Sequence, residues 1–224
     1  MGSLYLVRHG QAQASAYGAT DEQGGSEPGS LTPIGDQQAL LTGQTLAGVV
    51  AGFTSTISGS LTRQRQTLGG ILQAFDDAPA ATVDDGWDEY DLAGLLGAPT
   101  ADQLADGRTF QQSLDGALAA WVRGELDAAV PFAAYAARVA DAGRRAVAQA
   151  GSGKNVLVVS SAGSITLWLA QHLGIGVDQW PALARSMMNA SITKTLVGRQ
   201  GVTILSINEH LHLTDRDGGI ATFR

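Results

Sequence analysis

The chain of 224 residues contains no cysteine and only four histidines, His9, His172, His210 and His212. The first absence excludes disulfide bridges, thiolate zinc sites, iron–sulfur clusters and every mechanism with a cysteine nucleophile. Basic charge is also scarce: 14 lysines and arginines stand against 21 aspartates and glutamates, a formal net charge of −7. Without a basic run, neither nucleic acid nor an anionic membrane is expected as a partner. Apolar stretches stay short of the roughly 18 residues that a membrane-spanning helix needs. The first residues lack the basic flank and cleavage site of a secretory leader. Leu6 stands where a myristoylation signal carries Ser or Thr. A cytoplasmic location is therefore the expectation.

What is present is a balance of 44% hydrophobic and 16% charged residues, enough for a sizeable core. One domain over residues 1–224 is expected. Leu4-Tyr5-Leu6-Val7 reads as a short buried strand that ends at Arg8-His9-Gly10. Residues 11–30 are polar and rich in Gly, Ser and Gln, a surface loop. Thr32-Pro33 opens a helix, with Thr32 as N-cap and Pro33 in the first position. A strand at 54–58, a helix over 61–75 and a short strand near Thr82-Val83 follow. Residues 85–100 read as an acidic loop. Residues 101–150 are helical in pattern with a break at Val130-Pro131, so a helical insertion or cap is expected over about 85–150. Asn155-Val156-Leu157-Val158-Val159 is the clearest buried strand, and it turns through Ser160-Ser161-Ala162-Gly163 into a helix. Segments 191–198 and 202–207 read as a terminal hairpin around Gly198-Arg199-Gln200-Gly201. The alternation predicts an α/β three-layer sandwich: a mostly parallel sheet flanked by helices, with a C-terminal antiparallel strand.

In such a sheet, ligands bind beyond the carboxyl ends of the strands. Three segments deliver polar groups there: Arg8-His9-Gly10, Arg63, and the helix start at Ser161-Ala162-Gly163. Two arginines, a histidine and helix-start N–H groups form an anion site, because a planar guanidinium donates two bonds to one phosphate and helix starts add positive potential. The expected picture is a local cationic pocket, built on Arg8 and Arg63, inside an acidic protein.

Leu6-Val7-Arg8-His9-Gly10-Gln11 resembles the signature of the histidine phosphatase superfamily, also called the phosphoglycerate mutase-like family. Leu31-Thr32-Pro33-Ile34-Gly35 resembles its second conserved stretch, and Leu61-Thr62-Arg63-Gln64-Arg65 its third. The resemblance implies a covalent phosphomonoesterase mechanism on a small phosphorylated substrate, with no metal or other cofactor. His9 would attack phosphorus and become phosphohistidine. For this it must be neutral, with one ring nitrogen donating to a backbone carbonyl; Arg8 and Arg63 oppose its protonation by like-charge repulsion. Gly10 would allow a sharp turn and close approach of the ligand. The family's acidic proton donor matches Trp87-Asp88-Glu89-Tyr90-Asp91, where Glu89 is the first assignment and Asp88 the fallback. Arg65 is expected to be a solvated helix residue.

One departure stands out. Family members usually place a second histidine after the Val-rich strand, and Ser161 occupies that position here. Serine keeps a hydrogen bond and loses the positive charge. Backbone N–H groups of Ala162 and Gly163 would compensate in part, or His210 or His212 would reach in from the last strand. His210 and His212 alternate on that strand end and share one face, a spacing open to metal binding or to a supporting role. The departure keeps a weak or inactive phospho-ligand or protein binding module in play. A mutase needs cap cations, of which residues 85–130 offer only Arg108 and Arg123. A serine hydrolase built on Ser161, Asp178 and His210 would leave Arg8, His9 and Arg63 without a role. Trp87, Trp121, Trp168 and Trp180 are expected in the core or in cap packing.

Overall fold

The computed structural model describes residues 1–17, 27–97, 107–214 and 219–223. In chain order its strands and helices are β1 (Gly2–Arg8), α1 (Pro33–Ala47), β2 (Ser55–Ser58), α2 (Thr62–Leu72), β3 (Ala81–Val83), α3 (Leu92–Leu96), α4 (Gly107–Val122), α5 (Phe132–Gln149), β4 (Asn155–Ser160), α6 (Ala162–Leu173), α7 (Trp180–Ser186), β5 (Ile192–Gly198) and β6 (Gly201–Glu209). The six strands form one sheet in the order β3-β2-β4-β1-β5-β6. β1, β2, β3 and β4 run parallel, whereas β5 is antiparallel to β1 and β6 to β5. The predicted α/β sandwich is the observed one.

The two central strands, β1 and β4, carry the apolar runs Leu4–Val7 and Val156–Val159, as burial on both faces requires. Successive side chains point to opposite faces. Tyr5, Val7, Leu157 and Val159 pack with Leu46 of α1 and with Leu68 and Ile71 of α2. Leu4, Leu6, Val156 and Val158 face the other way, onto the core that holds Val139 and Ala142 of α5 and Ile165 and Trp168 of α6. Burying each such aliphatic side chain contributes roughly 1.5–3 kcal/mol, so these two strands carry much of the core.

Local signals explain the boundaries. The Thr32 hydroxyl accepts from the Gly35 N–H at 3.1 Å, and Pro33 follows it at the start of α1. Pro131 stands in extended conformation just before α5, which accounts for the helical break at that point. The hairpin between β5 and β6 turns at Gly201 with φ 108°, a conformation that favours glycine. All four tryptophans are buried.

Some expectations needed correction. The acidic stretch 85–100 is not all loop: Asp91 caps α3 by accepting from the Gly94 N–H at 3.0 Å. Helices of five and seven residues, α3 and α7, are too short for a 3.6-residue period to show in sequence. His210 and His212 do not sit on the last strand. β6 ends at Glu209, and His212 lies in a 3₁₀ turn, Leu211–Leu213. The middle of the predicted 11–30 loop, and residues 98–106, lie outside the described residues.

α1 and α2 meet at Gly43, where an added Cβ would lie 2.5 Å from the Ile71 carbonyl oxygen. Gly43→Ala gains about 1 kcal/mol of helix propensity. Pushing two backbones apart costs about 1–3 kcal/mol. The expected net result is a lower urea midpoint, read by circular dichroism; an unchanged or higher midpoint would mean that α2 yields freely.

Candidate active site

The backbone of His9 is fixed from both sides. Its N–H donates to the Ser160 carbonyl of β4 at 2.8 Å, and its carbonyl accepts from the Ala190 N–H and from Asn189 Nδ2, each at 3.2 Å. The imidazole is 2% exposed. Its Nδ1 lies 2.7 Å from the Gly10 carbonyl oxygen, and its Nε2 lies 3.2 Å from Nε of Arg63. A carbonyl only accepts and a guanidinium only donates. Nδ1 therefore carries the proton, and Nε2 presents a lone pair to Arg63. Both contacts define the same neutral tautomer.

Arg63 reaches this position from the first turn of α2. The next residue, Gln64, is fully buried and ties three segments together. Its Oε1 accepts from the Leu61 N–H at 3.3 Å, and its Nε2 donates to the Trp87 carbonyl at 3.2 Å and to the Ser161 hydroxyl at 2.9 Å. Ser161 has no exposed surface and spends its oxygen on Gln64.

Glu89 is held at the start of α6. Its Oε2 accepts from the Gly163 N–H at 3.0 Å, and its Oε1 lies 3.2 Å from the Tyr135 hydroxyl and 3.3 Å from its neighbour's amide, Tyr90 N. A carboxylate at a helix start is favoured by the helix dipole. Gly163 must be glycine here, since a Cβ would sit 2.2 Å from Glu89 Oε1. Burial, and next the charge of Glu89, push the Tyr135 phenol well above its usual range, so it stays a neutral donor. Asp88, the fallback proton donor, is engaged elsewhere: both its oxygens accept from Ser60, one from the N–H at 2.6 Å and one from the hydroxyl.

His9, Arg63, Asp88, Glu89, Tyr90 and Arg138 line a cavity of about 410 Å³ at the carboxyl edge of the sheet. Arg8 and Ser161 are not among its lining residues. The side chain of Arg8 instead runs to the Met187 carbonyl, to which its Nη1 donates. Gly10 makes a different contribution from the expected one. Its N–H donates to the Thr67 hydroxyl at 3.0 Å, and a Cβ on it would lie 2.6 Å from the Gly35 carbonyl oxygen. The close approach it permits is that of α1. The helix-start N–H of Gly163 already serves Glu89. The cationic pocket is also corrected: among the described residues, three carboxylates, Asp88, Glu89 and Asp91, line the cavity beside two arginines, Arg63 and Arg138.

His210 and His212 do not stand in for a second histidine. His210 Nδ1 lies 2.6 Å from the Asn208 carbonyl. His212 Nε2 lies 2.9 Å from the Thr42 hydroxyl, which donates to the Ala190 carbonyl at 3.1 Å. Ala190 in turn holds the His9 carbonyl, at a φ of 55° that a non-glycine residue rarely adopts. His212 thus supports the loop behind His9. Arg65 is half exposed and 3.5 Å from Glu27. Among the described residues no group of three or more His, Asp or Glu side chains is placed to hold a metal ion, and no helix is long and apolar enough to cross a membrane.

Sequence reasoning passed over Tyr135, Arg138, Gln64 and Asn189. Only Gln64 had a local signal, its place beside Arg63. Arg138 lies beyond residues 85–130, the stretch where cap cations are expected.

Fold and site together define an α/β protein that presents a buried, neutral histidine and an arginine at the carboxyl edge of a mostly parallel sheet. Residues 4–210 match the family model of the histidine phosphatase superfamily (branch 1), and the chain belongs to that family. Solved structures share the fold at low identity. YhfR of Bacillus stearothermophilus is 19% identical with a TM-score of 0.71, over 94% of this chain and 98% of that one. Phosphoserine phosphatase of Entamoeba histolytica, in complex with 3-phosphoglyceric acid, is 22% identical with a TM-score of 0.66, over 95% and 100%. A mycobacterial glucosyl-3-phosphoglycerate phosphatase complexed with VO3 is 21% identical with a TM-score of 0.67, over 94% and 100%. No curated protein matched.

Burial lowers the His212 pKa below its ordinary 6.5, a hydrogen bond to the Ala190 carbonyl raises it, and the charge of His210 lowers it further against that of Glu209. Above pH 6.5 the group is neutral folded and unfolded and contributes no pH dependence. Below it the unfolded chain takes up a proton that the native state resists, so stability falls as pH drops. The urea midpoint is expected to decline from pH 7 toward pH 5, and His212→Gln to flatten that slope. An equal slope in both proteins would remove His212 as its source.

Proposed function

We propose that the protein is a phosphomonoesterase that passes the phosphoryl group through Nε2 of His9. The observation that carries this reading is the tautomer. A buried imidazole, its Nδ1–H anchored on the Gly10 carbonyl, holds a lone pair on Nε2 at the wall of a cavity shared with Arg63 and Glu89. In the first step Nε2 bonds to phosphorus as the P–O ester bond breaks, and protonated Glu89 gives its proton to the leaving oxygen. Arg63 shifts from the Nε2 lone pair to the phosphoryl oxygens and offsets their charge. In the second step Glu89 takes a proton from water, the water oxygen bonds to phosphorus, and the P–N bond breaks to release phosphate and restore His9. Tyr135 and the Gly163 N–H hold the two oxygens of Glu89 in fixed directions and favour the carboxylate, the form that the second step needs.

Ser161 favours a second reading, a binding module with slow turnover. Its hydroxyl is committed to Gln64 and brings no cation to the phosphoryl group. A missing charge-assisted bond in a closed site is worth about 3 kcal/mol, or roughly a hundredfold in rate.

Phosphate release from p-nitrophenyl phosphate and from an alkyl phosphate separates these readings. Wild type is expected to turn over both and to form an acid-labile phosphoprotein, and His9→Ala to lose both properties. Equal activity in His9→Ala would overturn the nucleophile assignment; stoichiometric phospho-ligand binding without turnover would favour the binding module. Glu89→Gln is expected to cost about 10²–10⁴ in kcat on the alkyl ester. It should cost far less on p-nitrophenyl phosphate, whose leaving group needs no proton. Equal losses on both esters would remove Glu89 as the proton donor.

A further inference from the structure

A second cavity, of about 220 Å³, adjoins the first and shares Glu89, Tyr90, Asp91 and Arg138 with it. Any ester whose phosphorus sits at His9 and whose leaving oxygen faces Glu89 directs its alcohol half toward this shared boundary. Beyond Glu89 the walls are apolar: Leu95, Trp121, Ala128, Ala129 and Val130. The polar atom of Trp121 is taken up, since Nε1 donates to the Val130 carbonyl at 2.8 Å. Trp121 packs against the rings of Tyr90 and Tyr135 with centroids 5.8 and 5.4 Å away, so the wall is rigid and preformed.

Charge decides what this cavity excludes. Its one cation among the described residues is Arg138, whose guanidinium is held in place. Nη1 donates to the Asp85 carbonyl at 3.3 Å and Nη2 to the Asp88 carbonyl at 3.0 Å, its Nε is buried without a partner, and it stacks 5.2 Å from the centre of the Tyr135 ring. Glu89 and Asp91 set two carboxyl groups against that one cation at the same boundary. A carboxylate or second phosphate on the alcohol half would meet an excess of like charge there, in a setting where unpaired charge is costly. The volume exceeds the roughly 150 Å³ of an engineered apolar cavity that takes up benzene, so there is room for one aromatic ring or a short alkyl chain.

We infer that the cavity walled by Trp121, Val130 and Tyr135 is the alcohol subsite and that it selects monophosphate esters of uncharged, apolar alcohols over carboxylated ones. The inference rests on the phosphomonoesterase reading, and its test separates the two. Three esters with primary-alcohol leaving groups are compared by kcat/KM: 2-phenylethyl phosphate, glycerol 3-phosphate and 3-phosphoglycerate. The first is expected to exceed the other two by tenfold or more. In Val130→Asp, at a half-exposed position whose backbone carbonyl still serves Trp121, the ratio of phenylethyl to glycerol ester is expected to fall toward one. Equal values for the three esters in wild type, a preference for 3-phosphoglycerate, or an unchanged ratio in Val130→Asp would each overturn the subsite. If no ester is hydrolysed, the phosphomonoesterase reading fails and binding still decides. Calorimetry with 2-phenylethylphosphonate against methylphosphonate is expected to show at least fivefold tighter binding of the former, lost in Val130→Asp. Equal affinities would overturn the subsite on that arm.

Discussion

The contact that everything else at the site depends on is the 2.7 Å hydrogen bond from Nδ1 of His9 to the Gly10 carbonyl. It fixes which ring nitrogen carries the proton, and so decides whether Nε2 is a donor or offers a lone pair. The rest of the structure keeps that bond in place. β4 holds the His9 N–H, Asn189 and Ala190 hold its carbonyl, and Thr67 holds the next amide at Gly10. Even the glycine at position 10 serves this end, because a Cβ there would drive α1 away from the loop. A residue whose backbone is held by three separate segments has little freedom left to lose, which is how the proposed attack on phosphorus would gain from positioning.

A second constraint sits across the cavity. The start of α6 is an obvious place for a phosphate to bind, yet its Gly163 N–H holds Glu89. The helix dipole is therefore applied to the Glu89 carboxylate, and on the proposed reading the phosphoryl charge is left to Arg63. Tyr135 completes this arrangement. Its phenol remains protonated because of burial, and it offers Glu89 a neutral partner 3.2 Å away.

The sheet and the position of His9 beside Arg63 were legible because their signals are local. β1 and β4 are continuous apolar runs, and His9 and Arg63 each lie within a few residues of a strand end or helix start. What escaped was decided by contacts distant in sequence. Arg8 donates to the Met187 carbonyl, 179 residues away, and does not line the cavity. The bond between Glu89 and Gly163 spans 74 positions. The part of Ala190 is set by a positive φ and a tertiary contact that no residue pattern announces. Short helices such as α3 escaped for another reason: one turn and a half shows no periodicity, and only the Asp91 cap and Gly97 at φ 70° mark its ends.

The scarcity of histidine ends as a question of what fills the place of the second one. Ser161 is buried, and Gln64 spans from it to the Trp87 carbonyl, so two neutral side chains occupy the ground between α2 and α6. A histidine introduced at 161 would meet Gln64 before it met the cavity. The pair is packed and hydrogen-bonded, and Ser161 is therefore a settled part of this core. Of the two arginines that line the cavity among the described residues, Arg63 is the one bonded to His9. On the proposed reading, these two cations set among three carboxylates suit a substrate that carries its charge on the phosphoryl group alone.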